Sequence, residues 1–160
     1  MTNLPAKTKV EIMTDIPENI ARFNLMALVL LRNLYEEFPA PIEVDAMTIG
    51  VSALPGNADS HSNGDSETDA THVLTWLAEE GFLRFQTQTY GGTFFGVRLT
   101  QKGIAVLGTP LAIESGSSVR TPETLIARMS RVLKSGAEGA SAEAVKLLVM
   151  EIFKLSMKWG

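Results

Sequence analysis

The sequence predicts a mainly helical α+β fold that contains one small β-hairpin and ends in a hairpin of two helices. Apolar residues recur at helical spacing over most of the chain. Residues 82–99 instead alternate between apolar and polar, the period of a half-buried strand, and Gly91-Gly92 supplies a turn in their middle. We therefore divide the chain into an arm (1–17), a domain (18–108), a linker (109–121) and terminal helices (122–160).

The first helix is predicted to begin at Asp-Ile-Pro-Glu (15–18) and to run to about Phe38, where Pro-Ala-Pro (39–41) ends it. Its apolar positions exceed a single stripe: Ile20, Phe23, Met26, Ala27, Leu30, Leu31, Leu34 and Phe38, with Leu25, Leu28 and Val29 beside them. Such a helix lies at the centre of a core, or it uses a second face in a dimer interface.

Two further segments precede the hairpin helix. Residues 44–54 predict a short helix with Met47, Val51 and Leu54 turned inward, although Gly50 weakens it. Residues 55–69 predict a polar loop. The acids and amides of this loop resemble a calcium-binding loop, but alanine stands where a bidentate glutamate should close it, so no metal is predicted.

The next helix is predicted over residues 68–80, and Gly81 is its left-handed cap. Its core stripe is Ala70, Val73, Leu74 and Leu77, and its outward residues are Thr68, His72, Thr75, Trp76 and Glu79. No Lys or Arg lies between Glu67 and Glu80. An outward tryptophan marks an interface or packs under the terminal helices.

The hairpin register follows from the apolar phase. A three-residue loop, Tyr90 to Gly92, places Leu83 opposite Leu99 and Phe85 opposite Val97, with Phe95 in the same phase. A two-residue loop would set apolar residues against polar ones, because one step of register exchanges the two faces. We therefore predict the three-residue loop with a left-handed glycine, followed by a short helix capped by Thr100.

The run Leu77-x-x-x-Gly81-Phe82-Leu83-Arg84, the glycine-turned hairpin and Leu99-Thr100-x-x-Gly103 resemble the winged helix-turn-helix superfamily of bacterial regulators. The resemblance covers roughly residues 18–108. It implies that helix 68–80 enters the major groove of double-stranded DNA and that the hairpin, the wing, touches the backbone or minor groove. The DNA-binding candidates are Thr71, His72, Thr75, Arg84, Tyr90, Arg98 and Lys102.

The terminal helices are predicted to start at Thr-Pro-Glu (121–123) and at Ser141, and the second reaches about Lys158. Arg128, Arg131 and Lys134 form a basic row on the first. The second has an apolar surface too wide for water or for the preceding helix alone, which favours a homodimer. The partner-interface candidates are Trp76, Glu79, Val149, Phe153 and Met157.

Bulk properties exclude several classes. The chain has no cysteine, so disulfide frameworks and thiolate chemistry are excluded. Its longest apolar run, Leu25 to Leu31, is far shorter than the ~20 residues of a membrane span. A cytoplasmic protein without membrane contact is the default prediction. The net charge is −4, and the acids are concentrated in residues 1–100, with 13 Asp/Glu against 6 Lys/Arg.

No catalytic constellation is evident. The two histidines, His61 and His72, stand near acids and serines, but no Gly-x-Ser-x-Gly turn frames a nucleophile. The sequence predicts no enzyme, no cofactor and no metal. Two functions stay open: a DNA-binding regulator, and a protein-interaction module that uses the acidic helix 68–80 and Trp76.

Overall fold

The computed structural model describes residues 16–53, 63–111, 123–134 and 141–159. Within these ranges the chain is mainly helical with a small antiparallel sheet, so the predicted α+β class is confirmed. The predicted arm lies almost entirely outside them. The elements in chain order are α1 (Glu18–Glu37), β1 (Ile42–Asp45), α2 (Ala46–Ala53), α3 (Asn63–Glu79), β2 (Leu83–Arg84), β3 (Thr87–Gln88), β4 (Thr93–Leu99), α4 (Gln101–Leu107), α5 (Leu125–Lys134) and α6 (Ala142–Ser156).

Helix α1 is the centre of the core. Every residue from Met26 to Leu31 is buried, which means that the helix is covered on all sides over more than one full turn. It packs against α2, α3, α5, α6 and β4. Of the two interpretations that the sequence left open for this helix, the structure therefore shows the core helix.

Strand β4 is the middle of the sheet, with β1 on one edge and β2 and β3 on the other, all antiparallel. Strand β1 was missed, because residues 44–54 were predicted as one helix. The structure begins α2 only at Ala46, and Asp45 caps it by accepting hydrogen bonds from the Met47 amide (3.2 Å) and the Thr48 hydroxyl (3.1 Å).

The predicted inner face of this short helix was also wrong. Met47 and Val51 are exposed, and Leu54 lies outside the described residues. The residues that α2 buries are Ala46, Ile49, Gly50 and Ala53. Small residues are needed there because α3 is close: a Cβ on Gly50 would lie 2.7 Å from the carbonyl oxygen of Ser66.

Helix α3 begins at Asn63, five residues before the predicted start, so residues 63–69 are helix and not loop. The predicted core stripe is confirmed, since Ala70, Val73, Leu74 and Leu77 are all buried. The predicted glycine cap is confirmed too. Gly81 has φ +84°, and the Phe82 amide donates to the Leu77 carbonyl at 2.9 Å, as in a Schellman motif.

The hairpin has the predicted register and loop. Leu83 pairs with Leu99, and the Thr89 amide donates to the Thr93 carbonyl at 2.9 Å, which leaves three residues in the loop. Gly92 has φ +80° and is the left-handed glycine of that loop.

The predicted phase of Phe95 was wrong. Val44 pairs with Phe94 but Ile42 pairs with Val97, so β4 has one residue more than β1 between these pairs. This is a β-bulge, and Gly96 at φ +69° lies in it. The bulge turns Phe94 into the core, where it meets Phe85 edge to face at 4.9 Å, and leaves Phe95 38% exposed.

Helix α4 is capped as predicted, since the Thr100 hydroxyl accepts a hydrogen bond from the Gly103 amide at 3.1 Å. The two ends of the predicted linker are joined: Leu111 donates to the Glu123 carbonyl (2.9 Å) and Leu125 to the Thr109 carbonyl (3.0 Å). Helix α5 starts at Leu125 with Thr124 accepting from the Ala127 amide, later than predicted. The Thr121-Pro122 start signal lies outside the described residues.

Helix α6 is capped by Ser141 as predicted, and it packs on α1, α4 and α5 of its own chain. Its buried residues are Val145, Leu148, Val149, Ile152 and Leu155. This burial covers part of the apolar surface, while Leu147, Met150, Met157 and Trp159 stay exposed, so the homodimer is still a prediction. Val149 is only 3% exposed, so its assignment to a partner interface was wrong.

Candidate functional site

The N-terminal half of α3 and the hairpin loop form two walls of one open groove, which we call the α3–loop groove. Glu67, Thr68 and Thr71 line it from α3, and the hairpin lines it with Gln88, Thr89, Tyr90 and Gly92. Its volume is about 530 Å³. Two of the predicted DNA-binding candidates, Thr71 and Tyr90, therefore lie together.

The loop that lines this groove is held in place on both sides. The Gly92 carbonyl accepts a hydrogen bond from the Ala46 amide at the start of α2 (2.9 Å). The Glu67 carboxylate lies against Gly92, since a Cβ on that glycine would be 2.7 Å from its Oε1. The Thr93 amide donates to the Thr89 hydroxyl at 3.2 Å. A fully exposed Tyr90 is thus carried on a fixed support.

The basic candidates lie at the opposite end of the hairpin. Arg84 pairs directly with Arg98 at its base, and both side chains are exposed. Six residues separate Arg84 from Tyr90, which corresponds to roughly 20 Å along a strand. The structure therefore does not bring the predicted phosphate contacts together with Thr71 and Tyr90.

Lys102 has a structural role. Its ammonium group donates to the Glu80 carbonyl at the C-terminal end of α3 (2.8 Å) and lies 5.0 Å from the centre of the Phe82 ring. Both interactions suit a cation, because the end of a helix carries partial negative charge and the ring face is electron-rich. Lys102 thus fastens α3 to α4.

The chain segments that lead up to the groove are acidic in sequence. Residues 33–83, which supply the end of α1, β1, α2 and α3, contain ten Asp/Glu and no Lys or Arg. Residues 85–97 of the hairpin contain no charged residue. The only formal charge among the residues that line the groove is that of Glu67. Glu67 was not predicted as a site residue, because residues 55–69 were predicted to be a loop.

The outer surface of α3 carries the remaining candidates of this helix. His72 and Glu79 are exposed. The Thr75 hydroxyl donates to the Thr71 carbonyl one turn earlier, at 2.9 Å. A base-edge contact by Thr75 would have to compete with this internal bond.

Trp76 packs within the chain, which was the second of its two predicted roles. Its ring centre lies 5.2 Å from Phe23 of α1 and 5.4 Å from Phe153 of α6. The ring centre of Phe153 also lies 6.1 Å from that of Phe82, so Phe153 packs α6 against the end of α3. Trp76 is still 36% exposed. Of the predicted interface residues of α6 and its end, only Met157 is largely exposed.

The basic row on α5 is partly neutralised by an acid. Arg128 and Arg131 both donate to the Glu123 carboxylate, at 3.3 Å and at 3.0–3.1 Å. Hydrogen bonding to Arg131, the largest effect, lowers the pKa of Glu123, and the same contact raises the pKa of Arg131. These arginines therefore tie the start of α5 to its middle.

Among the residues with described positions, no group of three or more His, Asp or Glu is placed to hold a metal ion. None of the helices in the described ranges is long and apolar enough to cross a bilayer. Comparison with known family models, with curated proteins and with solved structures finds no match to this chain.

Proposed function

We propose that this chain is a protein-interaction module on a winged-helix-like scaffold, and that its α3–loop groove binds a Lys- or Arg-bearing segment of a partner protein. The observation that carries the proposal is the charge of the groove. Glu67 is the one formal charge among its described lining residues, and residues 33–83, which build α3 and the elements before it, contain ten Asp/Glu and no Lys or Arg. A basic segment complements that charge, and complementary charge steers association and selects partners.

The scaffold supports a recognition role without fixing the ligand. Helix α2 packs closely on α3, and α3 leads directly into the hairpin, an order that resembles the winged helix-turn-helix superfamily. In DNA-binding members the helix at the position of α3 carries the contacts. The same arrangement can present a helix to a protein, because a fold does not determine its ligand.

The expected energetics point to Tyr90 as the anchor. An ion pair between exposed groups contributes only about 0.2–1 kcal/mol, so Glu67 alone would supply selectivity and little affinity. Tyrosine is enriched among residues that dominate binding energy. The Tyr90 side chain is fully exposed, so all of its surface is free to be buried by a partner. Its loop is hydrogen-bonded to the start of α2. A rigid support reduces the entropy that binding would cost.

Site-directed photocrosslinking in the host cell tests the proposal. Tyr90 is replaced by a benzophenone amino acid. Lys134 on α5, which is also exposed, receives the same replacement as a control. We expect a protein adduct from position 90 only, mapped to a segment that contains Lys or Arg, and its loss when Glu67→Lys is added. Crosslinks to nucleic acid, or equal adducts from both positions, would contradict the proposal.

A second candidate function, duplex DNA binding, is favoured by one observation. Arg84 and Arg98 stand directly opposite each other on the exposed hairpin, and like charges in this position destabilise a strand pair. An anion such as a phosphate would relieve that repulsion. This function predicts duplex binding that is lost in Arg84→Gln/Arg98→Gln and kept in Thr71→Ala/Tyr90→Ala, as measured by fluorescence anisotropy.

A further inference from the structure

We propose that a cavity between α1 and α3 is a binding site for a small uncharged aromatic molecule that carries an amide or similar hydrogen-bonding group. The cavity, called here the α1–α3 cavity, has a volume of about 530 Å³. Phe23 and Asn24 line it from α1, Val73 and Trp76 from α3, and Phe153 from α6. Its size falls within the range of about 300–1,000 Å³ that is usual for small-molecule sites.

Three aromatic rings form the walls of this cavity. Trp76 meets Phe23 at 5.2 Å with the rings perpendicular, and Phe153 at 5.4 Å with the rings tilted by 55°. None of the three pairs among these rings is stacked face to face. Since 36% of Trp76 is exposed, a planar guest can cover apolar surface that now faces water.

Asn24 supplies the polar contact. It is 5% exposed, it lines the cavity, and its side-chain amide makes no hydrogen bond to any residue of described position. Its amide atoms reach the open space of the cavity, because the buried side-chain atoms that lack a partner in the described ranges are the Nε atoms of Arg22 and Arg32 and not those of Asn24. The side chain offers both a donor and an acceptor. A guest with an amide can satisfy both at once, which an aliphatic hydrocarbon cannot.

The charges at the cavity select a neutral guest. Arg22 and Asp69 both line it, and the Arg22 Nε lies 3.6 Å from the Asp69 carboxylate, so the two formal charges oppose each other there. An anionic guest would meet Asp69 and a cationic one would meet Arg22. Either would also lose its hydration among three aromatic rings.

The cavity is separate from the α3–loop groove. Asp69, Val73 and Trp76 lie on one flank of α3, whereas Thr68 and Thr71 lie on the other, as their helical spacing requires. The inference therefore does not depend on the proposed partner binding, and a ligand here would contact the same helix from its opposite side.

Titration with benzamide, followed by ¹H–¹⁵N spectra of the full chain, tests the site. The chain has two tryptophans, and Trp159 does not line the cavity, so the two indole signals report on the site and on a reference position. We expect a saturable shift of the Trp76 indole, an unchanged Trp159 indole, and much weaker binding of cyclohexanecarboxamide, which carries the same amide on a saturated ring instead of an aromatic one.

Asn24→Leu is the decisive variant, because it removes the unpaired amide at similar volume and is expected to keep the fold. It should weaken benzamide binding at least tenfold, because the guest loses its hydrogen bonds to the Asn24 amide. Should this variant not fold, Phe153→Leu replaces it and should weaken binding several-fold. A Trp76 signal that does not move, parallel movement of both indoles, or unchanged affinity in the folded variant would overturn the proposal.

Discussion

Replacing Gly92 by alanine should destabilise the protein, and replacing the adjacent Gly91 should not. Gly92 has φ +80°, a conformation that costs an L-residue roughly 1–2 kcal/mol. The new Cβ would also crowd the Glu67 carboxylate, but the end of that flexible side chain can move aside at little cost. We therefore expect a loss of about 1–2 kcal/mol for Gly92→Ala.

Gly91→Ala is the matched control. A Cβ at this position would meet its nearest atom, the Thr89 hydroxyl, at 3.8 Å, which is an ordinary contact. Removing a glycine from a position that alanine can adopt stabilises a protein by about 0.4–1 kcal/mol through the unfolded state. The two variants should therefore differ in stability by about 2 kcal/mol, although the chemical change, glycine to alanine, is the same in both.

Urea denaturation followed by circular dichroism measures this difference. For a slope of about 2 kcal/mol/M, the two midpoints should lie about 1 M apart. Equal losses in both variants would refute the three-residue loop, because a two-residue turn at Gly91-Gly92 of the common hairpin type requires positive φ at both positions. Equal midpoints near wild type would refute the left-handed conformation of Gly92.

Three further predictions concern the start of α4 and the carboxylate of Glu123. Gly103→Ala should lower the melting temperature, because the new Cβ would overlap the Phe82 carbonyl oxygen. Alanine usually favours a helix over glycine by about 1 kcal/mol, so a higher melting temperature would contradict this packing of α4. Thr100→Ala removes the cap of α4 and should cost about 1–2 kcal/mol by urea denaturation, against no loss for Gln101→Ala. The lowered pKa of Glu123 should stabilise the protein above its ordinary value of 4.5, and this contribution should vanish as pH falls through the folded pKa. Stability curves of wild type and Glu123→Gln should therefore converge in acid, and a constant gap would contradict the pairing with Arg131.

The hairpin could be predicted in detail because its determinants are local. The apolar phase of Leu83 and Leu99 decides the register, and one wrong step would expose both. The strand β1 could not be predicted in this way. It is four residues long, and its pairing with β4 joins segments about fifty residues apart, which no local period encodes. The bulge at Gly96, which reverses the phase of Phe95, could not be predicted either, because it lies in the pairing of β4 with β1.

The covering of part of α6 by its own chain could not be predicted for a similar reason. The apolar width of α6 was measured correctly, but its partner surfaces on α1 and α4 come from distant parts of the chain. A sequence shows that a helix must be covered and does not show by what. The candidate site shows the same limit. Thr71 and Tyr90 were identified separately, whereas Glu67, assigned to a loop, became part of the site only through the greater length of α3.

The most direct test of the central claim is the affinity of the wild-type chain for a random-sequence duplex. Nonspecific DNA binding by a basic surface typically has a Kd of about 10⁻⁴–10⁻⁶ M at physiological salt and tightens steeply as salt is lowered from about 200 to 50 mM. The account predicts no saturable anisotropy change at the low-salt end, because the α3–loop groove presents Glu67 and no base to the phosphates. Saturable binding that weakens steeply with salt would contradict it, and loss of that binding in Thr71→Ala/Tyr90→Ala would assign the contact to the α3–loop groove.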